Sequence, residues 1–106
     1  MASTPEGRVK AKVSALLKAT PNLYYFMPVQ GGYGAVTLDY LGCHQGRFFA
    51  IETKAPGKKP TDRQVQTIAK LEEAGATVFI IDGDTKELEI WLRPTTPQKN
   101  APDALS

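Results

Sequence analysis

The chain has 106 residues, 42% of them hydrophobic, enough for one modest core and too apolar for disorder throughout. Its single cysteine, Cys43, excludes an intramolecular disulfide and a thiolate zinc site within one chain, as expected in a reducing compartment. The net charge is +2, no apolar h-region marks a signal peptide, and no run approaches the ~18 residues that span a membrane, so a cytoplasmic chain without a membrane partner is expected.

Ser3-Thr4-Pro5-Glu6 opens a helix with a hydroxyl N-cap, a proline in the first turn and an acid at the positive dipole end. Val9, Val13, Leu16 and Leu17 follow at helical spacing. Glu6 lies three residues before Val9 and continues that buried stripe. It is either a capping or dipole glutamate or a carboxylate aimed at the sheet. Thr20-Pro21-Asn22 ends the helix, and Leu23–Met27 is expected as an aromatic strand. Gly31-Gly32-Tyr33-Gly34 is a loop that lacks the Gly-Lys-Ser/Thr ending of a phosphate loop and any GxGxxG spacing.

The stretch 35–40 is expected as the second strand, ending near Asp39, with Gly42 and Gly46 bracketing a turn Cys43-His44-Gln45. His44, the only histidine, is expected exposed in that turn, and Cys43 is expected to be bystander packing. Arg47–Lys54 is the third strand. Glu52 and Lys54 are two residues apart and share one face, about 7 Å apart along the strand, while Phe49, Ile51 and Thr53 take the other. A carboxylate in the apolar run FFAIE is costly to bury unless something pairs with it. Lys54 can be that partner, and Asp39 on the neighbouring strand adds a second carboxylate. Two hard oxygen ligands beside a point positive charge suit Mg²⁺, which keeps several waters and binds phosphate oxygens. That chemistry is phosphodiester cleavage by a metal-activated water. The competing reading is a structural ion pair in a sheet.

Ala55–Pro60 is a basic loop, and with Arg63 its Lys58 and Lys59 suit a phosphate backbone. They belong to a basic first part: residues 1–70 hold ten Lys/Arg against four Asp/Glu, residues 71–106 three against seven. Thr61 is a good N-cap for a helix over 62–74 closed by Gly75, with Val65, Ile68 and Leu71 as its buried arc. Gln64 lies in that arc and is either a boundary glutamine satisfied by backbone or a group reaching the carboxylates. The run 76–81 reads as a fully buried strand. Residues 85–92 suit a strand by Leu88, Ile90 and Leu92 or a short helix by Leu88, Trp91 and Leu92. Residues 1–93 are expected to form one domain and 94–106 a disordered tail. The order helix, three strands, helix, strand implies an α/β layout with a mixed sheet.

A spaced Asp followed by Glu-x-Lys on the next strand resembles the signature of the PD-(D/E)xK nuclease superfamily. Within it, GAVTLDYLGCHQGRFFAIETKAPGKKPTDRQ looks like the VRR-NUC branch, found in phages as small stand-alone proteins; the resemblance runs from about Glu6 to Ile81. It implies a restriction-endonuclease-like core, a central mixed sheet flanked by helices in the order αβββαβ. It implies that Asp39 and Glu52 bind Mg²⁺, with Mn²⁺ able to substitute, and that the Thr53 carbonyl adds a ligand. It implies that Lys54 orients the attacking water and stabilises transition-state charge. Gln64 matches the family's helix glutamine, and Glu6 the acid often found on the first helix, a further ligand. Leu38 departs from the family by standing where proline often precedes the aspartate. Stand-alone members resemble Holliday-junction resolvases that act as homodimers. The resemblance thus implies a structure-selective DNA endonuclease on branched DNA in a bacterial or phage-infected cytoplasm, with no organic cofactor. A less selective or flap- or nick-directed nuclease, or a non-catalytic DNA-binding module on the same fold, stands as the alternative.

Overall fold

The structure, a computed structural model, describes residues 4–29 and 37–94. The expected glycine loop 31–34, residues 35 and 36 of the expected second strand, and the tail from residue 95 lie outside the described residues. The elements run α1 (Pro5–Ala19), β1 (Leu23–Phe26), β2 (Tyr40–His44), β3 (Arg47–Thr53), α2 (Asp62–Glu73), β4 (Thr77–Ile81) and α3 (Lys86–Leu92). The chain is α/β, with a four-stranded mixed sheet of order β1-β2-β3-β4. β1 and β3 pair antiparallel with β2, and β4 pairs parallel with β3 through the α2 crossover.

Helices cover both faces of this sheet. Val9, Val13 and Leu17 of α1 and Leu88 and Leu92 of α3 pack on Tyr40, Phe49, Ile51, Phe79 and Ile81. On the other face Ile68 of α2 packs on Ala50 and Leu38, with Leu41, Leu71 and Val78 partly buried around them. β3 is the strand enclosed from both sides, buried from Phe49 to Thr53. α1 starts as its sequence demands: the Thr4 hydroxyl accepts from the Gly7 N–H at 2.9 Å, and Pro5 occupies the first turn.

Several expectations are corrected by packing. β2 begins at Tyr40, so Asp39 precedes the strand. The hairpin turn is Gln45-Gly46, both at positive φ (53° and 79°), between the paired residues His44 and Arg47. That is the backbone of a two-residue turn matching strand twist. Gly42 is therefore inside β2, where a Cβ would collide with the Tyr24 carbonyl oxygen and sit 2.6 Å from Phe49 Cζ. His44 is buried rather than exposed, because the hairpin carries it onto the α1/α3 face beside Trp91. Cys43 points the other way and is exposed.

Val65 also leaves the expected arc: it is half-exposed, and α2 rests on Gln64, Ile68 and Leu71 instead. β4 is an edge of the sheet among the described residues, so Ile80 is half-exposed and the strand is not fully buried. Residues 86–92 resolve to a helix. Leu88 and Leu92 enter the core with Trp91 beside them, and Ile90 is left outside. Among the described residues, no helix is long and apolar enough to cross a membrane.

Candidate functional site

β3 and β4 run parallel, and α2 returns between them, so the C-terminal end of β3 meets the first turn of α2. Ligands of open α/β sheets gather at such strand ends. Glu52 is the next-to-last residue of β3, on the face covered by α2, and is only 3% exposed. Its Oε2 accepts from Gln64 Nε2 at 2.6 Å and faces Lys54 Nζ at 3.4 Å. Its Oε1 is buried and has no hydrogen-bond partner among the described residues. Burial raises the Glu52 pKa above the ordinary 4.5; the negative charge of Asp39 raises it further, and Lys54 opposes both.

Gln64 answers both of its expected readings at once. Thr61 and Gln64 form a reciprocal capping box, the Thr61 N–H donating to Gln64 Oε1 at 2.9 Å and the Gln64 N–H to Thr61 Oγ1 at 3.2 Å. Its amide nitrogen remains for Glu52. The side chain is thereby pinned at both ends, which fixes the orientation of the carboxylate.

Asp39 stands one residue before β2, and the β2/β3 register carried one step past Tyr40–Ile51 brings it beside Glu52. Asp39 Oδ2 accepts from the Thr53 N–H at 2.9 Å and from Thr53 Oγ1 at 2.5 Å. Its Oδ1 faces Lys10 Nζ at 3.8 Å, from α1. The bonds of Thr53 to this site are thus made by its N–H and hydroxyl. Glu6 does not join the pair: among the described residues no three His, Cys, Asp or Glu side chains gather as a possible metal-ligand set. It lines an open cleft of about 400 Å³ with Thr4, Pro5, Gly7, Lys10 and Ala55, at the rim of the site.

Lys58, Lys59 and Arg63 are exposed on the loop and helix start that follow β3. Asp82, at the end of β4, accepts from the Gly57 N–H at 3.1 Å and ties this loop to the sheet. Lys10 and the Thr53 hydroxyl are the site groups that sequence reasoning missed. The signal for Lys10 was its spacing: Glu6, Lys10, Val13 and Leu17 fall on one helical face at i, i+4, i+7 and i+11. For Thr53 no signal existed, since its backbone and hydroxyl meet Asp39 only through strand register.

The donor set fits a divalent cation. Glu52 offers a buried carboxylate oxygen without a partner among the described residues, and neighbouring Asp39 an oxygen whose ammonium stands 3.8 Å away, two hard oxygen donors of the kind such an ion takes. A water held between the two carboxylates and polarised by Lys54 would suit the same space. Comparison of the chain with protein-family models, curated proteins and solved structures found no match.

Proposed function

We propose that the chain is a divalent-cation-dependent DNA endonuclease of the PD-(D/E)xK kind, with a restriction-endonuclease-like arrangement of its sheet and the VRR-NUC branch as its nearest resemblance. The observation that carries this reading is the unpartnered, buried Oε1 of Glu52, set beside Asp39 and within reach of Lys54 and Gln64. A structural ion pair would satisfy both carboxylate oxygens, because an orphaned buried acceptor costs about 1–3 kcal/mol. This site keeps one open, at the C-terminal end of β3.

Asp39 Oδ1 and Glu52 Oε1 would hold Mg²⁺ or Mn²⁺, with the Thr53 carbonyl as the further ligand of the resemblance. Bound there, the cation supplies Lewis acidity toward a phosphate oxygen and lowers the pKa of a water. Gln64 keeps the Glu52 carboxylate from rotating away. Lys54 holds the attacking water's oxygen through its ammonium and stabilises negative charge developing on the phosphate. Water adds to phosphorus and gives up a proton to solvent, the bond from phosphorus to the leaving sugar oxygen breaks, and that oxygen takes up a proton from solvent. Lys58, Lys59 and Arg63 contact the phosphate backbone, which makes affinity fall with salt. Branched DNA, four-way junctions above all, is the proposed substrate. A homodimer supplies two cuts from a chain with little surface of its own for reading DNA.

Cleavage of a labelled four-way junction, beside linear duplex, flap and single strand, tests the reading with wild type and Lys54→Ala in Mg²⁺, Mn²⁺ or EDTA. Junction-selective cutting that EDTA and Lys54→Ala both abolish is the expected result. Equal cutting of every substrate would keep the nuclease and reject junction selectivity. Tight DNA binding without cleavage under either metal would make the chain a binding module.

A further inference from the structure

Lys10 is held differently from every other polar group of the site. Asp39 Oδ2 is locked by two short bonds from Thr53, whereas Lys10 Nζ stands 3.8 Å from Oδ1, at the outer limit of an ion pair. Its side chain is 35% exposed, against 14% for Lys54, and it lines the open cleft shared with Glu6 and Ala55. Its backbone is fixed. The Lys10 carbonyl accepts from the buried Tyr40 hydroxyl at 2.9 Å, and since that donates the phenol's one proton, Ser14 Oγ donates to Tyr40 Oη at 2.7 Å. Burial, the largest cause, raises the Tyr40 pKa and keeps the phenol a donor. A rigid anchor thus carries a loosely held, solvent-facing ammonium. Glu6, one helical turn earlier, lines the same cleft and makes no ion pair with Lys10 among the described residues.

We infer that Lys10 is a phosphate-binding residue of the proposed nuclease site, resting on Asp39 Oδ1 until a divalent cation takes that oxygen and then turning to the scissile phosphate. The inference rests on the nuclease reading and adds a substrate contact that the Asp/Glu/Lys pattern does not contain. Charge supports it. Asp39 and Glu52 are balanced by Lys10 and Lys54, so the four groups sum to zero, and a divalent cation brings the set to +2. A phosphodiester brings one negative charge and gains a second as the attacking water adds and gives up a proton to solvent, so +2 is what the transition state needs. Without Lys10 the set stops at +1.

The test is Lys10→Met and Lys10→Arg, each measured two ways, with thermal melts to verify folding. In Mn²⁺ binding without DNA, by calorimetry, Lys10→Met should bind roughly threefold or more tightly, because a competing positive charge has gone. In cleavage at saturating Mn²⁺, Lys10→Met should lose about 10- to 100-fold in kcat, and Lys10→Arg should recover most of it. Opposite signs in the two readouts are the signature, since a lysine that only props up Asp39 would lose metal affinity and activity together. Unchanged values beside an active wild type, or weaker Mn²⁺ binding by Lys10→Met, overturn the assignment alone. A wild type that cuts no DNA sinks the nuclease reading and Lys10's phosphate role with it.

Discussion

The two ends of β3 each bury a titratable side chain, and they treat it in opposite ways. At the N-terminal end, His44 is 2% exposed, with Nδ1 at 3.2 Å from the Asn22 carbonyl oxygen and Nε2 at 3.1 Å from that of Leu92. Arg47, its partner across the hairpin, donates to the Trp91 carbonyl at 3.2 Å and stacks 4.0 Å over the Trp91 ring. Both ring nitrogens of His44 face backbone carbonyls, and the partners of this corner come from α3 and from the turn before β1. The corner clamps the last helix to the sheet. At the C-terminal end, Glu52 is buried as deeply but leaves Oε1 without a partner. Burial alone therefore does not set the two apart; unmet hydrogen-bonding capacity does.

The comparison is broken most directly by Glu52→Gln. Metal-dependent cleavage should fall about 10³-fold, since an amide replaces an anionic ligand, while chemical denaturation of the metal-free chain near pH 7 should show a gain in stability. The gain follows from sign. A carboxyl whose folded pKa lies above its unfolded value stabilises the fold fully below the unfolded value, here about 4.5, and loses that contribution as pH rises through the folded one. The stability difference between wild type and Glu52→Gln should accordingly close as pH falls towards 4.5. A constant difference across that range would show that burial of the charge is not its origin.

At the other end, His44→Ala should cost roughly 2–4 kcal/mol by urea denaturation, from a cavity and the loss of the ring N–H donated to a backbone carbonyl. It should leave Mn²⁺ affinity unchanged, and a metal-binding defect without a stability loss would dissolve the contrast between the two corners. Gln64→Leu sharpens the comparison from within the site. Losing the amide that orients Glu52 should lower metal affinity or turnover about 10- to 100-fold, and losing the capping box should cost about 1 kcal/mol. The smallest effect is expected for Arg47→Ala, about 0.5–1 kcal/mol from the lost stacking and hydrogen bond, read in the same denaturation series.

Much of the site's local chemistry was legible in advance because it is carried by short-range pattern. Glu52 and Lys54 share a face by strand alternation, and Gln64 sits three residues after its N-cap in a capping box. The hairpin turn starts two residues later than the glycine spacing suggests, which puts His44 in the strand, because Gly42 reads locally as turn punctuation. Its glycine is required instead by the close approach of Tyr24 and Phe49, a contact between strands that local pattern does not encode. Val65 and Ile80 were expected to be buried for being apolar at suitable spacing; the sheet ends at β4, so nothing among the described residues lies beyond them.

By itself the sequence determined the elements whose signals lie within a few residues: the Thr4 and Thr61 caps, the apolar face of α1, the alternation of β3, and the α/β order. Only the tertiary structure decided which polar groups meet. The pairing of Asp39 with Thr53 and the reach of Lys10 from α1 join residues 14 and 29 positions apart, and the orphaned oxygen of Glu52 depends on what is missing around an atom. Such relations arise when strand register and helix packing close the core, and periodicity along a chain carries no record of them.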